Sequence, residues 1–319
     1  AIEVSFAQQE QIVTDHSNEQ PHKQERMSHP QKEEQQSEKE TLFEGNLAEV
    51  LEARSDRYTA ANAAILDAFG HAFMRCDGQE QHQFLDVGCG IGDLTFNHLL
   101  PRCLPCRRLV AVDRSDNLIG AAGLTYPHPN IEYLPLDIVG DVDEFVRAQG
   151  QFQRVYSFSM LHWVKDHHLA MQNFEKLLAP GGELFITMLA GSLFDDMKDA
   201  FMKFPWWAKY NEMLDEKTPG ITGPKDIQSL RKYARNLLKY TNLIPMTCEV
   251  FSYPAPKRTK DQMINDFMFF EPVTPSLKEE KEKLREFVAD FTDQIWRAAN
   301  EGKIVDRKMI IIHAEKPPK

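Results

Sequence analysis

The stretch Phe84-Leu-Asp-Val-Gly-Cys-Gly-Ile-Gly-Asp93 (FLDVGCGIGD) runs from a short apolar segment into a glycine-rich turn, and Asp93-Leu-Thr-Phe-Asn-His-Leu-Leu100 continues it as a helix. A strand, a glycine turn and a helix in that order build a nucleotide-binding unit. The glycines allow tight turning and close backbone approach, and the helix N-terminus presents unpaired N–H groups. The spacing over Gly88, Gly90 and Gly92 is G-x-G-x-G, whereas a dinucleotide unit has G-x-G-x-x-G. Position 93 is Asp, and Asp86 sits two residues before the first glycine. A carboxylate there repels a pyrophosphate but suits the cationic end of an amino acid.

Outward from this loop, Arg108-Leu-Val-Ala-Val-Asp113 reads as a second strand and Ile131-Glu-Tyr-Leu-Pro-Leu-Asp137 as a third. Val155–Met160 is the fourth, and Glu183–Leu189 the fifth, after a turn at Pro180-Gly-Gly182. Helical spacing over 47–76 and over Asp116–Ala122 fills the intervals. Strands alternating with helices predict a doubly wound α/β sheet. Asp113, 21 residues after Gly92, closes the second strand, where a carboxylate can accept both hydroxyls of a ribose. Asp137 closes the third, where it can accept from an adenine amino group.

Past residue 190 the alternation stops. Residues 193–240 read as mostly helical, with Trp206-Trp207 and breaks around Pro219–Pro224. Thr247–Tyr253 and Lys308–His313 read as closing strands around a helical insertion. In that insertion Met263–Phe270 is Met- and Phe-rich, and Leu284, Phe287, Val288, Phe291 and Ile295 share one helix face. Such stripes serve either as core or as the wall of an apolar pocket.

Taken together, D-V-G-C-G-I-G, Asp113 and Asp137 on successive strand ends resemble the class I S-adenosylmethionine-dependent methyltransferases over about residues 80–190. The resemblance implies a seven-stranded Rossmann-like sheet with a helical substrate-binding cap, and S-adenosyl-L-methionine as cofactor. It further implies that Asp86, Gly88, Gly90 and Gly92 face the methionine part, Asp113 the ribose, and Asp137 with Ile138 the adenine. The competing readings are a dinucleotide enzyme, or Asp86 and Asp137 as mere strand-end turn residues.

The run VYSFSMLHWVKD (155–166) ends the fourth strand, where this fold presents the methyl group. Its pattern F-x-x-V-x-S-x-x-x-L-H-W-x-x-D, from Phe152 to Asp166, is similar to the juvenile hormone acid O-methyltransferases, which esterify a farnesoid carboxylate. L-x-P-G-G at 178–182, Phe270-Glu-Pro-Val-Thr-Pro-Ser-Leu and F-V-A-D-F extend the likeness over most of 50–315. The resemblance implies acceptor contacts at Trp163, Tyr58, Asn62 and position 65. The family carries Gln at the last of these, binding the substrate carboxylate; this chain carries Ile65, which leaves open a different acceptor.

His162 therefore has three readings: core packing, a site wall, or the catalytic base. A carboxylate acceptor, with a pKa near ~4–5, is ionised at neutral pH and needs no base. An alcohol or amine needs one, and His162 is the candidate. Three functions follow: a methyltransferase esterifying a small apolar carboxylic acid, a methyltransferase acting on another hydroxyl, amine or macromolecule, and a non-catalytic cofactor-binding protein.

The bulk of the chain agrees with an ordinary globular protein. It has 319 residues, 42% of them hydrophobic and 27% charged. A net charge of −11 and a pI of about 5.5 argue against a nucleic-acid partner. No apolar run reaches the roughly 18 residues of a membrane span. The odd count of five cysteines points to a reducing, cytoplasmic setting, with Cys103-Leu-Pro-Cys106 as incidental thiols and no metal site. Residues 1–45 hold eight glutamines in the first forty and few apolar residues, so a disordered tail is expected there. Residues 46–190 form the expected cofactor core, and 191–319 the cap elements and last two strands. A homodimer is one assembly to expect.

Overall fold

The computed structural model describes residues 55–73, 79–190, 226–253, 259–261, 307–318 and the positions 282, 285–286, 289–290, 292–293 and 296–297. All lie within one compact unit, Glu40–Lys319. The expected tail, Trp206 and Trp207, Met263–Phe270 and the apolar face from Leu284 to Ile295 lie outside the described residues, and so does most of the expected cap. The described positions between 282 and 297 are helical.

The apolar runs become the strands β1 (Gln83–Val87), β2 (Arg108–Asp113), β3 (Ile131–Pro135), β4 (Phe152–Phe158), β5 (Leu178–Ala190), β6 (Ile244–Tyr253) and β7 (Arg307–Glu315). They form one seven-stranded sheet of order β3-β2-β1-β4-β5-β7-β6. Neighbours from β3 to β5 pair in parallel, and β7 runs antiparallel to both β5 and β6. β1 is buried along its whole length, as a strand covered on both faces must be.

Successive residues feed opposite faces. Leu85, Val155, Leu184, Ile186, Ile310 and Ile312 enter one core, while Phe84, Tyr156, Phe185 and Ile311 enter the other. The first core is covered by α4 (Asp143–Gln149), α5 (His167–Leu177) and α6 (Ile227–Leu238); the second by α1 (Ser55–Phe69) and α2, which is a wide π-turn Thr95–Leu99 continued by Leu100–Cys103. Ser115 caps α3 (Asp116–Thr125), Asp166 caps α5 and Asp226 caps α6, each accepting a backbone N–H that would otherwise be unpaired.

Two strand ends differ from the expectation. β3 stops at Pro135, which has no N–H to extend the ladder, so Asp137 lies beyond the strand. Pro180-Gly-Gly182 is a bulge inside β5: pairing jumps from Phe152↔Leu178 to Arg154↔Glu183. The backbone of Gly181 and Gly182 is held by hydrogen bonds with Lys316 at 2.9 and 2.8 Å, which a free turn would lack.

Chain order leaves β1 toward β2 and β3 on one side and then crosses to β4 on the other. This topological switch point opens a crevice beyond the C-terminal ends of β1 and β4, where ligands of open α/β sheets bind. Val87 and Phe158, the last residues of those strands, lead directly into the glycine loop and the His162–Trp163 turn.

Candidate active site

Beyond β1 the loop doubles back over β2, with the N–H groups of Gly88 and Cys89 both donating to the Val112 carbonyl at 2.7 and 3.0 Å. Gly88 and Gly92 take φ of +80° and +83°. A Cβ on Gly88 would stand 2.1 Å from Met160 Cγ, and one on Gly92 would stand 2.9 Å from the Tyr133 hydroxyl. Glycine is required at both, by backbone conformation and by space. The hydroxyl of Tyr133 itself donates to the Tyr126 carbonyl at 3.1 Å.

The acidic residues divide by environment. Asp86 is buried in β1, with the Thr95 hydroxyl of the π-turn donating to Oδ2 at 2.7 Å. Burial pushes its carboxyl up to about 7, the Thr95 bond pulls it down, and the negative charge of Asp113 raises it again. A buried carboxylate under that load is stabilised by an incoming cation. Asp113, at the end of β2, accepts the Gly90 N–H at 3.1 Å on Oδ2 and the Ser115 N–H at 3.1 Å on Oδ1. Burial raises its pKa, and the N–H groups of Ser115 and Gly90 oppose the shift. It therefore fixes the glycine loop as well as facing the crevice. Asp137 is exposed, and its Oδ1 accepts the Val139 N–H at 3.0 Å. Ile138 is buried behind it, and its carbonyl accepts from the Asn173 amide of α5 at 2.8 Å.

At the end of β4, Ser159 takes φ of +50°, a left-handed backbone that a non-glycine residue adopts only when its surroundings enforce it. Those surroundings are a buried network. The Ser159 N–H donates to the Thr187 carbonyl at 2.9 Å, the Thr187 hydroxyl donates to Asn62 Oδ1 at 2.7 Å, and Asn62 Nδ2 donates to Ser159 Oγ at 3.0 Å. One turn earlier on α1, the Thr59 hydroxyl donates to Asp93 Oδ2 at 2.8 Å. Helix α1 thus grips both banks of the crevice, the start of α2 and the end of β4.

The expected acceptor residues fare differently. Asn62 is at the crevice but is committed to Ser159 and Thr187. Ile65, partly buried, packs against the apolar cluster of Leu66, Phe84 and Phe185. Tyr58 lies in α1, and its side chain is outside the described set.

His162 and Trp163 sit in the single 3-10 turn Leu161–Trp163, with ring centroids 5.4 Å apart. His162 is buried and Trp163 is 37% exposed. His162 Nδ1 accepts the Leu189 N–H across a long 3.4 Å bond. Burial, reinforced by His167, lowers its pKa to about 3. Burial thus works against a base role for His162, because desolvation makes the ring a weak proton acceptor.

Sequence reasoning passed over Thr95, Ser159, Thr187 and Asn173. A hydroxyl nine residues after a buried carboxylate was the one signal available for Thr95. The partners of Asn62 lie 97 and 125 residues away and leave no local trace. Cys103 and Cys106 are buried free thiols, and no cluster of metal-ligating side chains occurs among the described residues. Nor is any described helix long and apolar enough to cross a membrane.

A switch point in the sheet, with a tight glycine loop after β1 and Asp113 bonded to that loop from the end of β2, places the chain among the α/β proteins that bind nucleoside cofactors. The methyltransferase domain family matches residues 47–219, more than half of the chain, and the chain belongs to that family. The cofactor is S-adenosyl-L-methionine. Among curated relatives, the chain is 26% identical over 171 residues to the juvenile hormone acid O-methyltransferase of Bombyx mori, covering 53% of this chain and 60% of that one. It is 30% identical over 108 residues to the trans-aconitate 2-methyltransferase of Deinococcus radiodurans, covering 34% of this chain and 38% of that one. The chain thus spans less than two thirds of either relative. A crystal structure from Bacillus halodurans, provisionally assigned as a methyltransferase, shares the fold at TM-score 0.50 and 16% identity, covering 81% of this chain and 99% of that one.

Proposed function

We propose that this protein transfers the methyl group of S-adenosyl-L-methionine to the carboxylate of a small apolar organic acid, farnesoid or similar to juvenile hormone acid, giving a methyl ester. The observation that carries this reading is the state of His162. Its Nδ1 accepts from Leu189, so the neutral ring bears its proton on Nε2. A ring with a pKa of about 3 is a hydrogen-bond donor at neutral pH and not a base. A carboxylate acceptor, ionised above roughly pH 5, asks for donors and needs no base.

When bound, the cofactor supplies a methyl group already activated on a positive sulfur. The chain's own residues then have to align the acceptor oxygen and exclude water. Asp86, Asp113 and the glycine loop hold one partner, and the turn at His162 and Trp163 faces the other. Both relatives' names specify a carboxylic acid or its anion, which supports a carboxylate as the acceptor group; the apolar chain is supported by the first name alone.

The sheet ends support a cap over this site. Ala190 is paired with Lys308 and Tyr253 with Arg307, so the chain leaves β5 and β6 and re-enters β7 at the end of the sheet where β4 finishes. Both long connections, 191–225 and 254–306, start from the crevice end, where a helical cap would stand.

Labelled cofactor incubated with fatty, farnesoid and aromatic acids, alcohols and amines tests the reading. Label is expected in methyl esters of apolar acids, and label only in alcohols or amines overturns it. His162→Ala should lower the rate without moving its pH dependence above about pH 6. Loss of a basic limb in that variant would show that the histidine takes a proton.

A further inference from the structure

The turn that carries His162 and Trp163 is held from behind by a contact that the reaction itself does not require. The Leu161 carbonyl accepts two hydrogen bonds, from the Val164 N–H at 3.0 Å and from His167 Nε2 at 2.9 Å. A carbonyl only accepts, so Nε2 of His167 bears the proton and Nδ1 is left as an acceptor. The Tyr233 hydroxyl, on α6, donates to that Nδ1 at 2.5 Å. The two rings meet edge to face, with centroids 6.1 Å apart. His167 is buried, and burial lowers its pKa, which keeps the ring in the neutral tautomer this chain of bonds needs.

The placement gives the contact its meaning. His167 is the first residue of α5, directly after the capping Asp166, and its ring reaches back over six residues to the turn. Tyr233 comes from α6, which begins where the long connection after β5 ends. α6 is anchored in the core by Leu230, Ala234, Leu237 and Leu238, so the hydroxyl of Tyr233 is set by packing and not by the turn it supports.

We propose that Tyr233 and His167 are positioning residues: the chain Tyr233 hydroxyl, His167 ring, Leu161 carbonyl sets the height of the 3-10 turn and hence the alignment of His162 and Trp163 with the methyl acceptor. This rests on the acceptor-facing role given to that turn above. Both residues hold the turn from the side away from Met160, the residue that packs on Gly88, so their effect on the acceptor step should exceed any effect on cofactor affinity.

Three variants separate positioning from general packing. Tyr233→Phe keeps the ring and removes the donor. His167→Leu removes both links, and His167→Gln restores an N–H near the position of Nε2. With an acid that the wild type methylates, Tyr233→Phe and His167→Leu should lower kcat by about tenfold to a hundredfold, the effect of a displacement on the order of 1 Å. KM for the cofactor should change far less than kcat, and His167→Gln should recover kcat to within about threefold of wild type. A second readout does not depend on the acceptor: 5-fluorotryptophan labelling gives one fluorine resonance for each of the four tryptophans, and Trp163→Phe assigns the relevant one. That resonance should shift in Tyr233→Phe. An unmoved Trp163 resonance together with unchanged kcat overturns the proposal. A moved resonance in a protein that methylates no acid upholds the positioning and defeats the ester reading instead. If His167→Leu does not fold, Tyr233→Phe decides alone.

Discussion

Asp86 answers two opposed demands, since it must be buried to sit under the glycine loop and charged to meet a cation. Its carboxyl, ordinarily at 3.8, titrates at about 7 in the native chain because burial outweighs the Thr95 hydrogen bond. A raised native pKa means that this group's contribution to stability is complete below about pH 4 and is lost as pH rises to about 7. Cofactor binding follows the reverse course. A cationic amino group prefers the ionised carboxylate, so binding below pH 7 expels a proton. Calorimetry at pH 6 in two buffers of different ionisation enthalpy should report release of about one proton per cofactor. Asp86→Asn should abolish the buffer dependence and weaken binding; equal heats in both buffers for the wild type would contradict this account. His162 runs the other way, its native pKa lying below the ordinary 6.5, so its share of stability is present above pH 6.5 and lost as pH falls toward 3. The types and spacing of Asp86, Gly88, Gly90, Gly92 and Asp113 were legible in the sequence because each stands at the end of an apolar run or in the turn that follows it. The state of His162 was not, because burial lowers its pKa and Leu189, on β5, sets its tautomer.

Helix α1 works as a strap. Thr59 and Asn62, three residues apart and so on one face, tie α2 and the ends of β4 and β5 to a single rigid rod. Replacing Asn62 with Leu leaves the Thr187 hydroxyl and Ser159 without their partner in a buried site. The expected loss is about 2–3 kcal/mol in urea unfolding. Ser159 should also relax from its left-handed backbone, so the Trp163 environment should change in the same variant; a Tm and a Trp163 signal both equal to wild type would sink the strap. Elements of this kind were half visible. Apolar runs announced β1, β2 and β7, whereas the π-turn of α2 and the bulge at Pro180-Gly-Gly182 were hidden, since the Thr95–Asp86 bond leaves no periodic pattern and the bulge is held by Lys316, beyond β7.

Across the whole molecule, three strands are fastened beneath the crevice by buried charge. Arg154 on β4 donates from Nε and from its second terminal nitrogen to Glu183 Oε2 on β5 at 3.0 and 2.7 Å. His313 on β7 meets Glu183 Oε1 at 2.9 Å. The guanidinium also lies 4.5 Å from the centre of the Phe73 ring. Arg154→Met strips a buried carboxylate of its cation and should destabilise the fold by about 3–5 kcal/mol. Lys176→Met, at a surface pair with Asp143 in which both side chains are about half exposed, should cost less than about 1 kcal/mol. Near-equal urea midpoints for the two variants would show that the buried group is not a fastening. A doubly wound sheet was foreseeable from the alternation of strands and helices, and its seven-stranded form from the resemblance; this network was not, because Arg, Glu and His are separated by 29 and 130 residues.

The insertion of β7 between β5 and β6 also dictates a timetable. β6 joins the sheet only through β7, and β5 has no partner on that side until residues 307–315 arrive. On a ribosome, a chain that has not yet delivered those residues carries the edge of β5, with Leu184, Ile186 and Met188, as an open template for another strand. Non-local pairing of this reach is slow. Newly made chains should therefore depend on a chaperone, or on dilution, until the last strand slides into place.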